Sequence, residues 1–145
     1  MAILRDDPYG AFNFLVEIDG VTSAGFSEVS GLSTEIAVIE YRNGNDKVSS
    51  VRKLPGLHKA GNVTLKRGVT GDTVLFEWLR TSAQGSGDSA RNIAIILLDE
   101  ARQPVLCWLL LRAWPMKWEG PTLNASSNEI AIESLTLACD RIEID

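Results

Sequence analysis

The residue types that carry acid–base and nucleophilic chemistry are scarce in this sequence. It has one histidine, His58, in a basic segment, and a serine triad would need that residue as its general base. Asp99 and Glu100 are paired carboxylates, but adjacent acids at a turn point apart into solvent. We therefore expect no enzymatic activity. His58 is interpreted as a solvated or contact residue, and a catalytic role is the alternative.

The two cysteines do not have the spacing of a metal site. Cys107 and Cys139 lie far apart, and the sequence has no CxxC or HxxxH pattern. It also lacks the glycine-rich patterns GxxxxGK and GxGxxG, which cradle phosphates. We expect no metal and no cofactor. The cysteines are interpreted as reduced thiols, and a Cys107–Cys139 disulfide is the alternative.

Three tryptophans, Trp108, Trp114 and Trp118, lie close together along the chain. Such side chains could form a platform on which a ligand stacks, but they more often fill a core or a subunit interface. We interpret them as packing residues. A small-ligand-binding β-barrel that uses these tryptophans is the rival function.

The charges are distributed unevenly along the chain. Residues 40–67 hold seven Lys and Arg against two Asp and Glu, whereas the rest holds seven against seventeen, for a formal net charge of −5. This acidic balance argues against nucleic acid as the main partner. A basic region on an acidic protein favours head-to-tail contacts between copies, and such contacts build rings or filaments.

The 145 residues, 45% of them hydrophobic, are predicted to form a single domain, 1–145, that is mainly β. One helix is predicted at 72–83 and a long extended loop at 42–60. The apolar runs are far shorter than the roughly 20 residues of a membrane span, so we expect a protein made in the cytoplasm with no membrane segment. Alternating residues predict strands at 12–18, 24–29, 35–41, 62–67, 93–98, 105–112 and 128–139, the last with a bulge.

Five segments, in order along the chain, resemble the inner-tube proteins of contractile injection machines. They read DPYGAFNFLVEIDG (7–20), AGFSEVSGLS (24–33), EYRNGN (40–45), RKLPGLHKAGNVTLKRG (52–68) and AWPMKWEGPTLNASSNEIAIESLTLA (113–138). The family includes the tail tube protein of contractile-tailed phages, its counterparts in extracellular contractile injection systems and, more distantly, the hemolysin-coregulated protein. The resemblance implies an antiparallel β-sandwich or small barrel with one helix at its edge.

The resemblance also implies a function and partners. Six copies would form a ring, and rings would stack into a tube around a central channel for DNA or protein cargo. A contractile sheath, a baseplate or tube initiator and a tube terminator are the implied partners. The particle would be a phage tail or an extracellular tail-like particle. A baseplate-proximal tube initiator is the alternative within the family.

Candidate contact residues follow from the same resemblance. The segment from Arg42 to Lys59 is similar to the arm that reaches a neighbouring ring, which predicts inter-ring contacts by Arg42, Asn43, Gly44, Asn45, Lys47, Arg52, Lys53, Leu54, Pro55 and Lys59. Val63, Leu65, Ile130 and Ile132 are expected in the core. Period-two alternation then turns Thr64, Lys66, Glu129, Ala131 and Glu133 toward the channel, which should be polar so that cargo can slide.

Overall fold

The computed structural model describes residues 5–19, 25–85, 89–126 and 128–145, which form nine strands and one helix. The predicted mainly β fold with a single helix is confirmed. The helix is α1 (Val74–Ala83). The strands are β1 (Phe14–Ile18), β2 (Glu28–Ser30), β3 (Thr34–Tyr41), β4 (Arg52–Ala60), β5 (Val63–Gly68), β6 (Arg91–Leu98), β7 (Pro104–Glu119), β8 (Ile132–Ala138) and β9 (Arg141–Ile144).

Seven strands form one antiparallel sheet in the order β1-β6-β7-β8-β5-β2, with β9 also paired to β7. The long strand β7 belongs to two parts of this sheet: residues 108–111 lie between β6 and β9, and residues 114–119 pair with β8. We call these parts the β1–β6 half-sheet (β1, β6, the start of β7, β9) and the β5–β8 half-sheet (the end of β7, β8, β5, β2). The sheet is not closed into a barrel, and both halves cover one core as in a sandwich.

The core lies between the two half-sheets and is closed by the helix. Alternate residues of each strand point into it, as the pleat of a β-strand requires. Val63 and Leu65 on β5 are fully buried, which confirms that prediction. The core cluster consists of Val16, Ile18, Val63, Leu65, Leu75, Trp78, Ile93, Ile95, Leu110, Ala113, Leu135 and Leu137.

Helix α1 lies where the amphipathic pattern predicts it. Asp72 precedes it, and the Oδ1 atom of this residue accepts a hydrogen bond of 3.0 Å from the backbone N–H of Val74. That bond satisfies one of the N–H groups that have no partner inside a helix. Leu75 and Trp78 are buried against the sheet, and the Trp78 indole N–H donates to the Ser89 carbonyl at 2.6 Å. The structure describes no helix that is long and apolar enough to cross a membrane.

The predicted long loop at 42–60 is wrong in its second half. Residues 52–60 are strand β4, which pairs with β3 in a separate two-stranded sheet, and the connecting loop is limited to 42–51. The Pro55-Gly56 pair suggested a loop, but a register shift between Ile36 and Val38 accommodates it within the hairpin. We call residues 34–60 the arm.

Gly31 sets the direction in which the chain leaves β2 for the arm. Its φ angle is 89°, in the left-handed region that favours glycine, and an added Cβ would collide with the Asn62 carbonyl oxygen. The arm is held at its base by a 2.8 Å hydrogen bond from the Gly61 N–H to the Ser33 carbonyl. A side chain at position 31 would therefore misdirect the whole arm.

Strand β8 differs from the prediction in its start and in its regularity. It begins at Ile132 rather than near residue 128, and its register with β5 is unbroken. The expected bulge in this strand is wrong, because the register shift lies on β7, between Pro115 and Lys117. Ile130 and Ile132 are 80% and 38% exposed, so their predicted place in the core is also wrong.

Candidate assembly surfaces

The face of the β5–β8 half-sheet that points away from the core is polar. Because Val63 and Leu65 point inward, Thr64 and Lys66 occupy the opposite face, as predicted. The strand register aligns them with polar residues on the neighbouring strands. We call the polar face the surface formed by two rows, Ser30-Thr64-Thr136-Lys117 and Glu28-Lys66-Ser134-Glu119.

Opposite charges on the polar face lie close together. The Lys66 Nζ is 3.3 Å from the Glu28 Oε2, and the Lys117 Nζ is 3.5 Å from the Glu119 Oε1. Between them, the Thr64 and Thr136 hydroxyl oxygens are 3.4 Å apart. The surface is therefore hydrophilic, and each charged side chain on its strands lies beside a side chain of opposite charge.

Glu133 does not face the same way as Thr64 and Lys66, which corrects its assignment to the channel. It is 7% exposed, and its Oε1 accepts a 2.6 Å hydrogen bond from the Arg67 Nε, itself buried. Arg67 also donates through Nη2 to the Asp72 carbonyl at 2.9 Å. This buried ion pair joins β5, β8 and the turn before α1.

The sequence contained a signal for this buried pair. Arg67 shares the parity of Val63 and Leu65 along β5, and Glu133 shares that of Leu135 along β8. The prediction instead took Ile130 and Ile132 as inward-facing and extended that alternation to Glu133. These two isoleucines lie at or before the start of the strand. Strand alternation therefore does not orient Glu129, which is exposed, or Ala131, whose carbonyl accepts from the Val69 N–H at 3.0 Å. Their channel-lining role stays a prediction.

Sequence reasoning missed the polar residues of three strands. Glu28 and Ser30 lie on a strand of only three residues, too short for alternation to be recognised. Lys117 and Glu119 follow the register shift in β7, which interrupts the period-two pattern, and the correct parity of β8 would have identified Ser134 and Thr136.

The arm exposes apolar side chains on both of its faces. Every residue of β3 is exposed, including Ile36, Val38 and Ile39, and Leu57 on β4 is 84% exposed. An isolated two-stranded hairpin is marginally stable in water, and exposed apolar patches mark interaction sites. The arm thus has the composition of an interaction surface.

The loop at the tip of the arm is folded by its own side chains. Arg42 donates to the carbonyls of Val48 and Asp46 at 3.0 and 2.9 Å. The Asn43 N–H donates to the Asp46 carboxylate at 2.9 Å, and the Asn43 side chain bonds the Tyr41 hydroxyl. Arg42 and Asn43 therefore shape the tip. The next residues, Gly44, Asn45 and Lys47, are exposed.

The remaining predicted inter-ring residues lie along β4. Leu54 pairs with Ile39 and Pro55 with Val38, which places apolar side chains in the middle of the arm. Basic residues flank them, because Lys53 lies opposite Glu40, Lys59 lies opposite Glu35, and Arg52 stacks 5.5 Å from the centre of the Tyr41 ring. The exposed His58 lies opposite Ile36. The contact of these residues with another ring stays a prediction.

The carboxylate pair at the β6–β7 turn has a structural role. Both Glu100 carboxylate oxygens accept hydrogen bonds of 2.9 Å from Arg5, which lowers the pKa of Glu100 to about 2. The Asp99 carboxylate accepts from the Gln103 N–H at 2.8 Å. Glu100 therefore holds the N-terminal segment, and Asp99 closes the turn.

The cysteines are not joined to each other, and Trp108 and Trp118 line different hollows. Cys107 and Cys139 are free, so the alternative disulfide is not formed, and burial raises the pKa of both thiols. Trp108 lines a hollow of about 250 Å³, whereas Trp118 lines a different one of about 390 Å³ and packs edge-on against Phe76. The tryptophans thus do not share one stacking platform.

Comparisons with known proteins agree with this architecture. The family model described as T4-like virus tail tube protein gp19 matches residues 10–143. Among solved structures, a chain of the PVC sheath–tube complex in the extended state, from an extracellular contractile injection system, is 32% identical, with a TM-score of 0.83 over 95% of this chain and 91% of that one. A chain of the anti-feeding prophage cap, a tube-terminating cap, is also 32% identical, with a TM-score of 0.85 over 100% and 95%.

A more distant solved structure is similar to this chain in fold only. Hcp1 from Flavobacterium johnsoniae is 13% identical, with a TM-score of 0.56 over 92% of this chain and 94% of that one. No curated protein matches the sequence.

Proposed function

This chain belongs to the T4-like virus tail tube protein gp19 family and is a structural subunit of the inner tube of a contractile injection machine; we propose that six copies close into a ring through their β5–β8 half-sheets. The observation that carries the proposal is the four-strand order β7-β8-β5-β2. Three antiparallel steps separate its end strands, so β2 and the end of β7 run in opposite directions. Pairing β2 of one copy with β7 of the next therefore continues the antiparallel pattern.

Ring closure also solves the problem of exposed strand edges. Open edges present unpaired N–H and C=O groups to solvent, and a closed barrel removes them. The polar face then lines the channel, with Thr64 and Lys66 among its residues, while the core and α1 lie outside it. A hydrophilic inner wall suits transport because cargo does not adhere to it through apolar contacts.

The arm supplies the contact between rings in this proposal. Its apolar centre needs a partner surface, and its basic flanks suit the acidic remainder of the chain. Stacked rings bury the arm of each copy against the adjacent ring.

We infer the partners of the tube from the complexes to which its relatives belong. One relative belongs to a sheath–tube complex, another to a tube-terminating cap and a third, 26% identical, to the anti-feeding prophage baseplate. We extend these settings to this chain: a sheath surrounds the tube, a baseplate initiates it, and a terminator ends it. The chain acts as a structural subunit rather than an enzyme, is made in the cytoplasm, and carries cargo in its channel.

Assembly is tested by native mass spectrometry and electron microscopy of the purified chain across a wide concentration range. We expect hexameric rings that stack into hollow tubes as the concentration rises. A strict monomer at every concentration, even with sheath and baseplate proteins present, would contradict the proposal.

The direction of the polar face is tested by thiol labelling in a background without Cys107 and Cys139. A small maleimide should label Thr64→Cys in intact tubes, whereas a polymer-linked maleimide should label it only after disassembly. Glu17→Cys, on the outward face of β1, is the control and should react with both reagents throughout. Equal labelling of Thr64→Cys by the large reagent in intact tubes would place the polar face outside.

A further inference from the structure

The charges on the polar face are balanced within each subunit. Two carboxylates, Glu28 and Glu119, and two ammonium groups, Lys66 and Lys117, lie on its strands, in pairs separated by 3.3 and 3.5 Å. Symmetric copies repeat this balance around and along a tube. If the polar face lines the channel, as proposed above, the wall has neither an acidic nor a basic track.

Close pairing confines the electric field to the wall. Opposite charges in contact cancel at distances larger than their separation, and both separations are shorter than the Debye length of about 8 Å at physiological ionic strength. The threonine hydroxyls between the pairs add hydrogen-bonding groups without charge. A chain moving along the axis therefore meets hydrated strands on which the paired charges cancel.

Phosphate backbones gain little from such a wall. DNA binding draws its affinity from cations that neutralise phosphates and release counterions. Here each lysine already has a carboxylate within contact distance, which a phosphate would have to displace. A polypeptide carries both signs of charge along its length and is neither held nor repelled by paired charges.

From this arrangement we infer that the channel is a charge-balanced conduit that binds neither polyanionic nor polycationic cargo and passes cargo irrespective of its net charge. The inference rests on the proposed function, because it requires that the polar face line the tube. It also requires that the lysine–carboxylate pairs, rather than the net charge of the whole tube, prevent the channel from favouring cargo of either charge sign.

The test measures how strongly tubes retain labelled probes after sedimentation at low salt. The probes are an unstructured Lys/Ser peptide, a Glu/Ser peptide of equal length and a single-stranded oligonucleotide. Each probe is also tested after coupling to a bead that cannot enter the channel. This form therefore reports binding to the outer surface alone. Wild-type tubes should show the same retention of free and bead-coupled forms for all three probes.

Removing the charged groups of one sign from the wall should make the channel retain probes of one charge sign. Glu28→Gln with Glu119→Gln should raise retention of the free Glu/Ser peptide and the oligonucleotide at least about tenfold, and Lys66→Gln with Lys117→Gln should do so for the Lys/Ser peptide. Glu17→Gln with Glu77→Gln, both exposed outside the polar face, should change nothing.

Electron microscopy of the same samples separates the two levels of the inference. Wild-type samples without tubes, even with sheath and baseplate proteins present, would overturn the proposed function and the inference with it. Intact wild-type tubes that retain the free oligonucleotide or only one peptide would overturn the inference and leave the tube assignment standing. Unchanged retention in both paired variants would show that these charges do not face the channel.

Discussion

Tubes of this protein should fail to grow when the centre of the arm is made polar. Ile39 and Leu54 pair across the hairpin and are about half exposed in the single subunit. Burying such a side chain from full exposure is worth about 1.5–3 kcal/mol, so covering its exposed half contributes about half of that, and about 1.4 kcal/mol corresponds to a tenfold change in affinity. We therefore expect Ile39→Ser with Leu54→Ser to weaken the contact of each arm at least about tenfold, measured as tube length and by sedimentation.

Controls distinguish lost stacking from lost folding. Circular dichroism of the double variant should match the native subunit, because the arm lies outside the main core. Leu15→Ser removes a similarly exposed apolar side chain from β1 and should leave tube length unchanged. Tubes of normal length in the arm variant would show that the arm does not connect rings.

The basic residues of the arm provide a separate, electrostatic test. Arg52→Glu with Lys53→Glu should shorten tubes most at low salt, since attraction between exposed charges is screened over a Debye length of about 10 Å at 0.1 M. An effect that is equally large at high salt would assign these positions a steric rather than an electrostatic role.

Breaking the buried Arg67–Glu133 pair should destabilise the subunit more than any exposed charge substitution. Glu133→Leu leaves the Arg67 guanidinium with fewer partners in a buried site, and removal of one member of such a pair costs about 3–5 kcal/mol. Urea unfolding of the dispersed subunit measures this loss as a lower midpoint. Arg67→Met combined with Glu133→Leu should recover most of it, because two apolar side chains leave no buried charge.

An exposed ion pair provides the matched comparison. Arg141 and Glu143 lie 3.0 Å apart on β9 with both side chains largely in solvent, so Glu143→Leu should change stability by less than about 1 kcal/mol. Equal effects of the two leucine substitutions would mean that burial does not determine the importance of the Arg67 pair.

The elements with a single regular period were predictable from the sequence. Strand β5 alternates strictly, and α1 combines an acidic residue at its start with apolar residues at helical spacing. Strand β4 was hidden by its Pro-Gly pair, and β9 has only four residues, two of them charged. Local patterns fail there because pairing with a neighbouring strand, rather than propensity, forms the strand.

The candidate surfaces were only partly predictable for a related reason. The outward direction of Thr64 and Lys66 follows directly from the burial of alternate residues along β5. The direction of Glu133, in contrast, was predicted from isoleucines at or before the start of β8. The polar rows depend on register across four strands, including a shift near Pro115 that no single segment reveals. The uneven charge along the chain favoured self-assembly into rings or filaments, but the six-membered ring and the reach of the arm came from the family resemblance.

A cryo-EM map of tubes grown from the purified chain tests whether rings close through the β5–β8 half-sheets. We expect a hollow tube of stacked six-fold rings whose inner wall is a continuous antiparallel barrel. In that wall, β2 of each copy lies beside the end of β7 of its neighbour, and Thr64, Lys66 and Thr136 point toward the axis. A map in which β1 forms the contact within the ring, or in which the polar face points outward, would contradict it.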